Sequence, residues 1–490
     1  MPRQKRRFTA KSAEVKTQIN AHPTPLVSSR AVQSLSFAQY NGPITRSRTA
    51  SERAQQHGID SLPLEVLSTI FIFTLASDEG IVKRTSDGWT NPLPLCAVSS
   101  LWRTLALATP KLWSRVFVYV PDLKSKAMAK SKARLGPWIK RSGSLPLTLF
   151  ICYCGVYNQS PIENSVTVVK VLNRYASRWE TLYVQYPNEF PEPRESLLAE
   201  LAHVDKWSSL QRMYGVKPQD TSTYTQLTHL QFYRHLSRVS YAEVVGILRG
   251  CPRLVWLSLL IEVAQEFINV PVSPIILHDL TFVSFSANHP PTIFQLVSLP
   301  SLRELVCRET WHGHLFMEPG SLRSLLSLLT RSACTLDKLE IHGTNSPPGD
   351  LIQLLTHRSC NFLTLLGICY YGSYDVPVDD EVLRTLTLHR DNSACTHLKS
   401  LSLHCRVAQC SRSALLKMVE SRIGSCTASQ PQDGLVCLQI ELPDSRQMLD
   451  EVIKSGETVE YESQYSFPRV LFQRRGFRGN VPLLHDFFGT

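Results

Sequence analysis

The residues of this chain that could do chemistry are its 13 cysteines and 15 histidines, which are metal ligands and nucleophiles in other proteins. Cys152 and Cys154 lie two positions apart, so on a strand both point to the same side. No second Cys or His pair follows at the spacing of a zinc site. A denser group also fits no zinc spacing; its members are His389, Cys395, His397, His404, Cys405 and Cys410. We therefore expect no metal and no other cofactor.

Catalytic motifs are also missing from the sequence. It contains no G-x-S-x-G, H-E-x-x-H, G-x-x-x-x-G-K or G-x-G-x-x-G pattern. Because catalytic triads are defined by geometry, a missing motif does not by itself exclude an enzyme. Without a candidate nucleophile or base, we expect a non-catalytic protein whose role is binding.

Composition places most of the chain among folded proteins. Its 490 residues are 43% hydrophobic and 19% charged, close to globular averages. The longest apolar run, near Val66–Ala76, is far shorter than the ~20 residues of a membrane span. Basic residues near the N-terminus precede no apolar segment, and the odd cysteine count suits a reducing compartment. We expect an intracellular protein, cytoplasmic and/or nuclear, without membrane association.

The net charge of +11 is concentrated in two segments. Residues 1–53 carry +8 and residues 121–142 carry +6, so the rest of the chain sums to −3. We interpret residues 1–57 as a disordered basic tail and 121–144 as a basic linker or helix. Salt-dependent nucleic-acid binding through these segments is the alternative, but we expect no nucleic-acid partner because the large remainder is not basic.

Short amphipathic helices are predicted between residues 61 and 118. Pro63 suits the first turn of a helix, and Leu67, Ile70 and Phe71 follow at helical spacing. After a polar insert over 78–91, a second helical face ends at Pro110; it comprises Val98, Trp102, Leu105 and Ala106. Such short helices need partners to bury their apolar faces. The spacing predicts a small helical domain over residues 58–120.

The order Leu-Pro, Glu, Leu, Ile-Phe, then Val-x-x-x-Trp-Arg, then Pro-x-Leu-Trp resembles the F-box-like proteins of basidiomycete fungi. An F-box binds the Skp-type adaptor of a cullin–RING ubiquitin ligase, and the rest of the chain selects a substrate. The resemblance implies seven adaptor-binding residues: Leu62, Pro63, Leu67, Ile70, Phe71, Val98 and Trp102. Leu64 and Ser99-Ser100 depart from the family pattern. The alternative interpretation is that these apolar residues form only the core of a small domain.

Downstream, the pattern L-x-x-L-x-φ, where φ is apolar, recurs eight times. Its copies begin at residues 227, 254, 277, 302, 336, 363, 398 and 435, separated by 23 to 37 residues. Helical patterns lie between several copies, at 241–248, 321–329, 351–355 and 413–419. Strand and helix alternating at this period resemble a leucine-rich repeat solenoid, in which stacked units share one core. The family's asparagine position is not kept, so we expect irregular repeats.

We therefore predict an α/β fold: a small three-helix F-box-like module, as the resemblance implies, followed by an irregular leucine-rich repeat solenoid over 145–455 and a C-terminal cap or tail over 456–490. The repeat places Leu230, Leu257, Leu305 and Leu401 in one row of a common sheet. Residues between the apolar positions face the opposite, concave side. From these we select substrate-binding candidates: Trp256, Glu304, Arg308, Lys338, Glu340, His342 and His404.

The resemblances together predict an F-box-like substrate receptor. Its partners would be a Skp-type adaptor, the cullin ligase and a protein substrate whose identity the sequence does not give. The chain itself would be a non-catalytic subunit that acts by proximity, since tethering raises the effective concentration of the substrate. The alternative is a leucine-rich repeat interaction scaffold that binds no adaptor.

Overall fold

Seventeen segments of the chain are described by the structure, which is a computed structural model. They are residues 59, 62–74, 92–121, 125–154, 162–185, 208–215, 224–263, 273–287, 290–308, 321–343, 346–370, 378–389, 394–405, 410–424, 437–441, 459–460 and 470–473. The predicted basic tail over 1–57 lies outside the described residues, as does most of the predicted cap or tail over 456–490.

Three short helices come first: α1 (Leu64–Thr74), α2 (Leu93–Val98) and α3 (Ser100–Ala108). Ser99 separates α2 from α3, because its backbone is extended and its Oγ accepts a hydrogen bond from the Trp102 backbone N–H at 3.1 Å. The predicted helical face that joined Val98 to Trp102 is therefore wrong. Ser99 caps a new helix, so Val98 ends the preceding one.

A single large sheet organises the rest of the described chain. Twelve strands run parallel in chain order: β1 (Arg115–Pro121), β2 (Leu147–Cys154), β3 (Trp179–Gln185), β4 (Arg212–Tyr214), β5 (His229–Val239), β6 (Trp256–Val263), β8 (Phe282–Ala287), β10 (Glu304–Arg308), β11 (Lys338–His342), β12 (Leu365–Tyr370), β13 (Ser400–Cys405) and β14 (Cys437–Glu441). Two antiparallel strands complete it, β16 (Val470–Gln473) and then β15 (Val459–Glu460). The short β7 (Ile275–Ile276) and β9 (Val297–Ser298) pair separately. The fold is thus mixed α/β, as predicted.

Helices connect many of these parallel strands, as parallel pairing requires. They are α4 (Ser125–Arg141), α5 (Ile162–Asn173), α6 (Tyr241–Gly250), α7 (Pro290–Leu296), α8 (Ser321–Ser332), α9 (Pro348–Leu355), α10 (Asp380–Leu386) and α11 (Arg412–Gly424). The predicted helical patterns at 241–248, 321–329, 351–355 and 413–419 are confirmed as parts of α6, α8, α9 and α11. α4 occupies most of the segment predicted as a linker or helix and connects β1 to β2.

The core is a row of apolar residues, one from each successive parallel strand. Its members are Val116, Leu149, Leu182, Met213, Leu230, Leu257, Val283, Leu305, Leu339, Leu366, Leu401 and Leu438. All are almost completely buried. Burying each such side chain contributes about 1.5–3 kcal/mol to the free energy of unfolding. The predicted common row of Leu230, Leu257, Leu305 and Leu401 is confirmed.

One copy of the hexapeptide pattern has a different frame from the one predicted. The copy at 277 would start its strand near Asp279, but β8 begins at Phe282, which pairs with Trp256. Leu277 and Leu280 are both buried and lie three positions apart, so either could begin the pattern. The strand uses Leu280 and places Val283 in the core row.

Three arginines, of which Arg422 is buried and Arg178 and Arg331 are half-buried, link successive helical segments. Arg178 donates to the carbonyl of Leu145, Arg331 to that of Val297, and Arg422 to that of Leu386. Each guanidinium thereby supplies donors to carbonyls that follow or end a preceding helix, where backbone oxygens lack helical partners.

Candidate binding surfaces

The three-helix segment has its own small core. Leu67, Phe71, Ala106, Leu112 and Trp113 form one buried cluster. Leu67 and Phe71 lie one turn apart on α1, so they face the same way. The Trp113 indole N–H donates to the Ala106 carbonyl at 2.8 Å, which satisfies its one polar group. This packing fixes the orientation of α1 and α3.

The predicted adaptor-binding residues divide between this core and the surface. Leu67 and Phe71 are buried, Ile70 and Trp102 are half-buried, and Leu62, Pro63 and Val98 are exposed. The ring of Trp102 lies 4.7 Å from that of Phe71. Leu67 and Phe71 are therefore core residues of this small domain, as the alternative interpretation has it. Leu62, Pro63 and Val98 are accessible to a partner.

The three helices carry most of the exposed large apolar side chains of the described chain. Among the described residues from 62 onward, eight of the ten exposed large apolar side chains lie here: Leu62, Leu64, Val66, Phe73, Leu93, Val98, Leu101 and Leu107. Phe73 is 74% exposed and Val98 is 60% exposed. The other two are Ile276 and Phe362. We call this group the apolar surface; exposed apolar patches mark interaction sites.

The predicted substrate-binding residues all lie on the outward face of the sheet, opposite the core row. Trp256, Glu304 and Lys338 occupy one register row, with Phe282 between the first two. Arg308, His342 and His404 occupy another, with Cys369 between the last two. Strand alternation explains this arrangement, because each candidate is an even number of residues from its neighbours on the same strand.

Three of these candidates are buried, although they face away from the core. Glu340 is 1% exposed; its Oε1 accepts from Lys338 Nζ at 2.9 Å, and its Oε2 lies 3.4 Å from His342 Nε2. Gly367 on the next strand leaves room for the Glu340 side chain, since a Cβ there would lie 3.2 Å from Glu340 Cγ. Next to Gly367 in the same row, Ser402 Oγ is buried.

Burial and the neighbouring side chains set the protonation states of Glu340 and His342. Burial alone would raise the pKa of Glu340, but the hydrogen bonds of His342 and Lys338 and the positive charge of Lys338 outweigh it and lower that pKa. Burial lowers the pKa of His342; Glu340 partly offsets this, while Arg308 and His404 add to it. Near neutral pH, Glu340 is therefore ionised and His342 neutral.

Sequence reasoning did not identify the stacked rings at the start of the sheet. Phe117, Phe150, Tyr183 and Tyr214 stack across β1–β4 with centroids 4.4, 4.5 and 4.2 Å apart and planes within 9° of parallel. Trp256 and Phe282 stack at 5.1 Å further along the same face. The sequence signal that could have revealed this stack is the spacing of about 33 residues between its aromatic residues, which lie upstream of the eight hexapeptide copies. These six side chains occupy two neighbouring register rows of the same face, and together we call them the ring row.

Where their side chains are described, the cysteines and histidines near residue 400 do not converge on a metal site. Burial raises the pKa of Cys395 to about 11, and it raises those of Cys251 and Cys307 to about 12. His389 and His397 are exposed. Over the residues that the structure describes, no three His, Cys, Asp or Glu side chains converge to hold a metal. These thiols stay protonated near neutral pH and are poor nucleophiles.

Comparison with known proteins provides no assignment: no family model matches the sequence, and no curated protein matches it. None of the described helices has both the length and the apolar composition needed to cross a membrane. Function is therefore inferred from the apolar surface and the outward face of the sheet.

Proposed function

We propose that this chain is an F-box-like substrate receptor of a cullin–RING ubiquitin ligase. The apolar surface on α1–α3 would bind the Skp-type adaptor, and the outward face of the sheet would bind the protein substrate. The observation that carries the proposal is the concentration of exposed apolar side chains on these three helices. The chain would be a non-catalytic subunit that holds its substrate near the conjugating enzyme.

The arrangement of α1 supports a docking role. Val66 and Phe73 lie seven residues apart and so share one face of α1, on the side away from the buried Leu67 and Phe71. A helix that is apolar on both sides needs a second apolar partner. The core of the module covers one side of α1, and an adaptor would cover the other.

The sheet supports the second half of the proposal. Parallel strands in chain order, a single buried leucine-rich row and connecting helices are the features of a leucine-rich repeat solenoid. Four of the seven substrate-binding candidates are half-buried on the face that such a solenoid leaves open: Trp256, Glu304, Arg308 and His404. The buried Lys338, Glu340 and His342 lie beneath that face. Ten cysteines whose side chains the structure describes are free thiols, which supports a reducing intracellular compartment.

Co-expression with a Skp-type adaptor tests the proposal. We expect the wild-type chain to co-purify with the adaptor, and Phe73→Ser and Val98→Ser to weaken the complex at least tenfold. Phe362→Ser and Ile276→Ser are matched controls, because these side chains are 55% and 54% exposed but lie outside the three helices. A folded wild-type chain that binds no adaptor would contradict the proposal and leave the interaction scaffold as the alternative.

A further inference from the structure

The ring row presents ring edges, not ring faces, to a partner. Stacked rings on adjacent strands have their faces against one another, because the planes of Phe150, Tyr183 and Tyr214 are within 6° of parallel. Their edges therefore point away from the sheet. An aromatic ring carries partial negative charge on its faces and partial positive charge at its edge. Ring edges favour oxygen atoms that carry negative charge.

The polar side chains beside the ring row also favour negatively charged oxygen atoms. Arg115 and Arg212 lie on this face in the register row beside the four stacked rings, the row that continues to Trp256 and Phe282; Arg212 is exposed. The two tyrosine hydroxyls can also donate hydrogen bonds. Among the described side chains at the paired outward positions of β1–β6 and β8 there is no carboxylate; Glu304, which pairs with Phe282, lies on the next strand, β10. Glu180 lies at the register irregularity of β3, outside those paired positions.

A polypeptide fits this surface better than a nucleic acid does. Proteins bind single-stranded bases by stacking them on free aromatic faces. Within the stack, the faces of Phe150 and Tyr183 are both occupied by neighbouring rings. An extended peptide needs no free face, and the four stacked rings span about four of its residues at ~3.3 Å each.

We infer that the ring row, with Arg212, binds an acidic, extended segment of the substrate protein. This rests on the proposed function only for identifying the partner as a substrate. Carboxylates and backbone carbonyls of the segment would meet the ring edges, the tyrosine hydroxyls and the arginine. Its apolar side chains would lie against Trp256 and Phe282, which are half-buried on the same face.

Peptide binding by the full chain, measured by fluorescence anisotropy, tests the inference. The probes are a labelled peptide of Glu, Gly and Phe, the matched peptide with Lys in place of Glu, and a single-stranded oligonucleotide. We expect the acidic peptide to bind most tightly and to weaken as salt is added. Arg212→Glu should weaken this binding about tenfold or more, since the charge is reversed at the contact.

Arg249→Glu is the matched control, because Arg249 is exposed on α6, away from this face. Equal affinity for the two peptides, tighter binding of the oligonucleotide, or equal effects of Arg212→Glu and Arg249→Glu would overturn the inference. Adaptor co-purification is run on the same preparations. If the adaptor binds and the acidic peptide does not, this inference fails while the proposed function stands.

Discussion

Arg422 provides the sharpest test of how the helical segments are held together. Its side chain is 1% exposed, and its guanidinium donates to three carbonyls: Leu386 at 2.6 Å, and Cys395 and Ala394 at 3.1 Å each. Burial lowers the pKa of Arg422 to about 10, so it stays protonated near neutral pH. Arg422→Met would keep much of the volume and remove all three donors.

The expected cost follows from those three carbonyls. Each buried acceptor left without a donor costs about 1–3 kcal/mol. Removing the buried charge offsets part of this free-energy cost, because the guanidinium no longer has to be desolvated. We expect Arg422→Met to lower the free energy of unfolding by about 2–4 kcal/mol.

Urea denaturation followed by circular dichroism measures this change. Lys417→Met on the same helix is the control, since Lys417 is exposed and its replacement should change stability by less than about 0.5 kcal/mol. Hydrogen exchange should show lost protection in α10, α11 and β13, and none in β1–β3. If Arg422→Met matches Lys417→Met, the three carbonyls do not depend on the guanidinium and the reasoning is refuted.

Two further predictions concern the buried ionic cluster. Gly367→Ala should destabilise the fold by about 1 kcal/mol, because the new Cβ would crowd Glu340 Cγ. Gly349→Ala is the control; its new Cβ would lie in open space on α9, so it should be neutral or stabilising. Equal urea midpoints for the two variants would contradict the prediction. The free energy of unfolding should also fall as the pH is lowered. The pKa of His342 is lower in the folded state, so protonation favours the unfolded state below about pH 6.5. The pKa of Glu340 is lowered as well, so further stability is lost as the pH approaches the folded pKa of this carboxyl. The measurement is the urea midpoint from pH 7.5 down to about pH 4. A wild-type midpoint that does not change with pH would contradict the assignment to His342. So would a midpoint of His342→Gln that falls as steeply as that of the wild type between about pH 6.5 and 5.5.

Local patterns predicted much of the sheet, because a strand's alternation depends only on its own residues. The hexapeptide pattern correctly placed Leu230, Leu257, Leu305 and Leu401 in one row. It gave the wrong frame at Leu277, where two buried leucines three positions apart satisfy the pattern equally.

Features that depend on neighbouring strands could not be predicted in this way. The burial of Glu340 requires Gly367, which is distant in sequence and adjacent only after the strands pair. The ring row likewise depends on how six strands pair: β1–β4, β6 and β8. On α1, apolar residues occur on all sides, so spacing alone could not tell the buried Leu67 from the exposed Phe73.

The most direct test of the proposed function is the affinity of the purified full chain for a Skp-type adaptor. The account predicts a specific complex whose dissociation constant rises at least tenfold in Phe73→Ser and is unchanged in Phe362→Ser. No measurable binding by the folded wild-type chain, or equal loss in both variants, would contradict it.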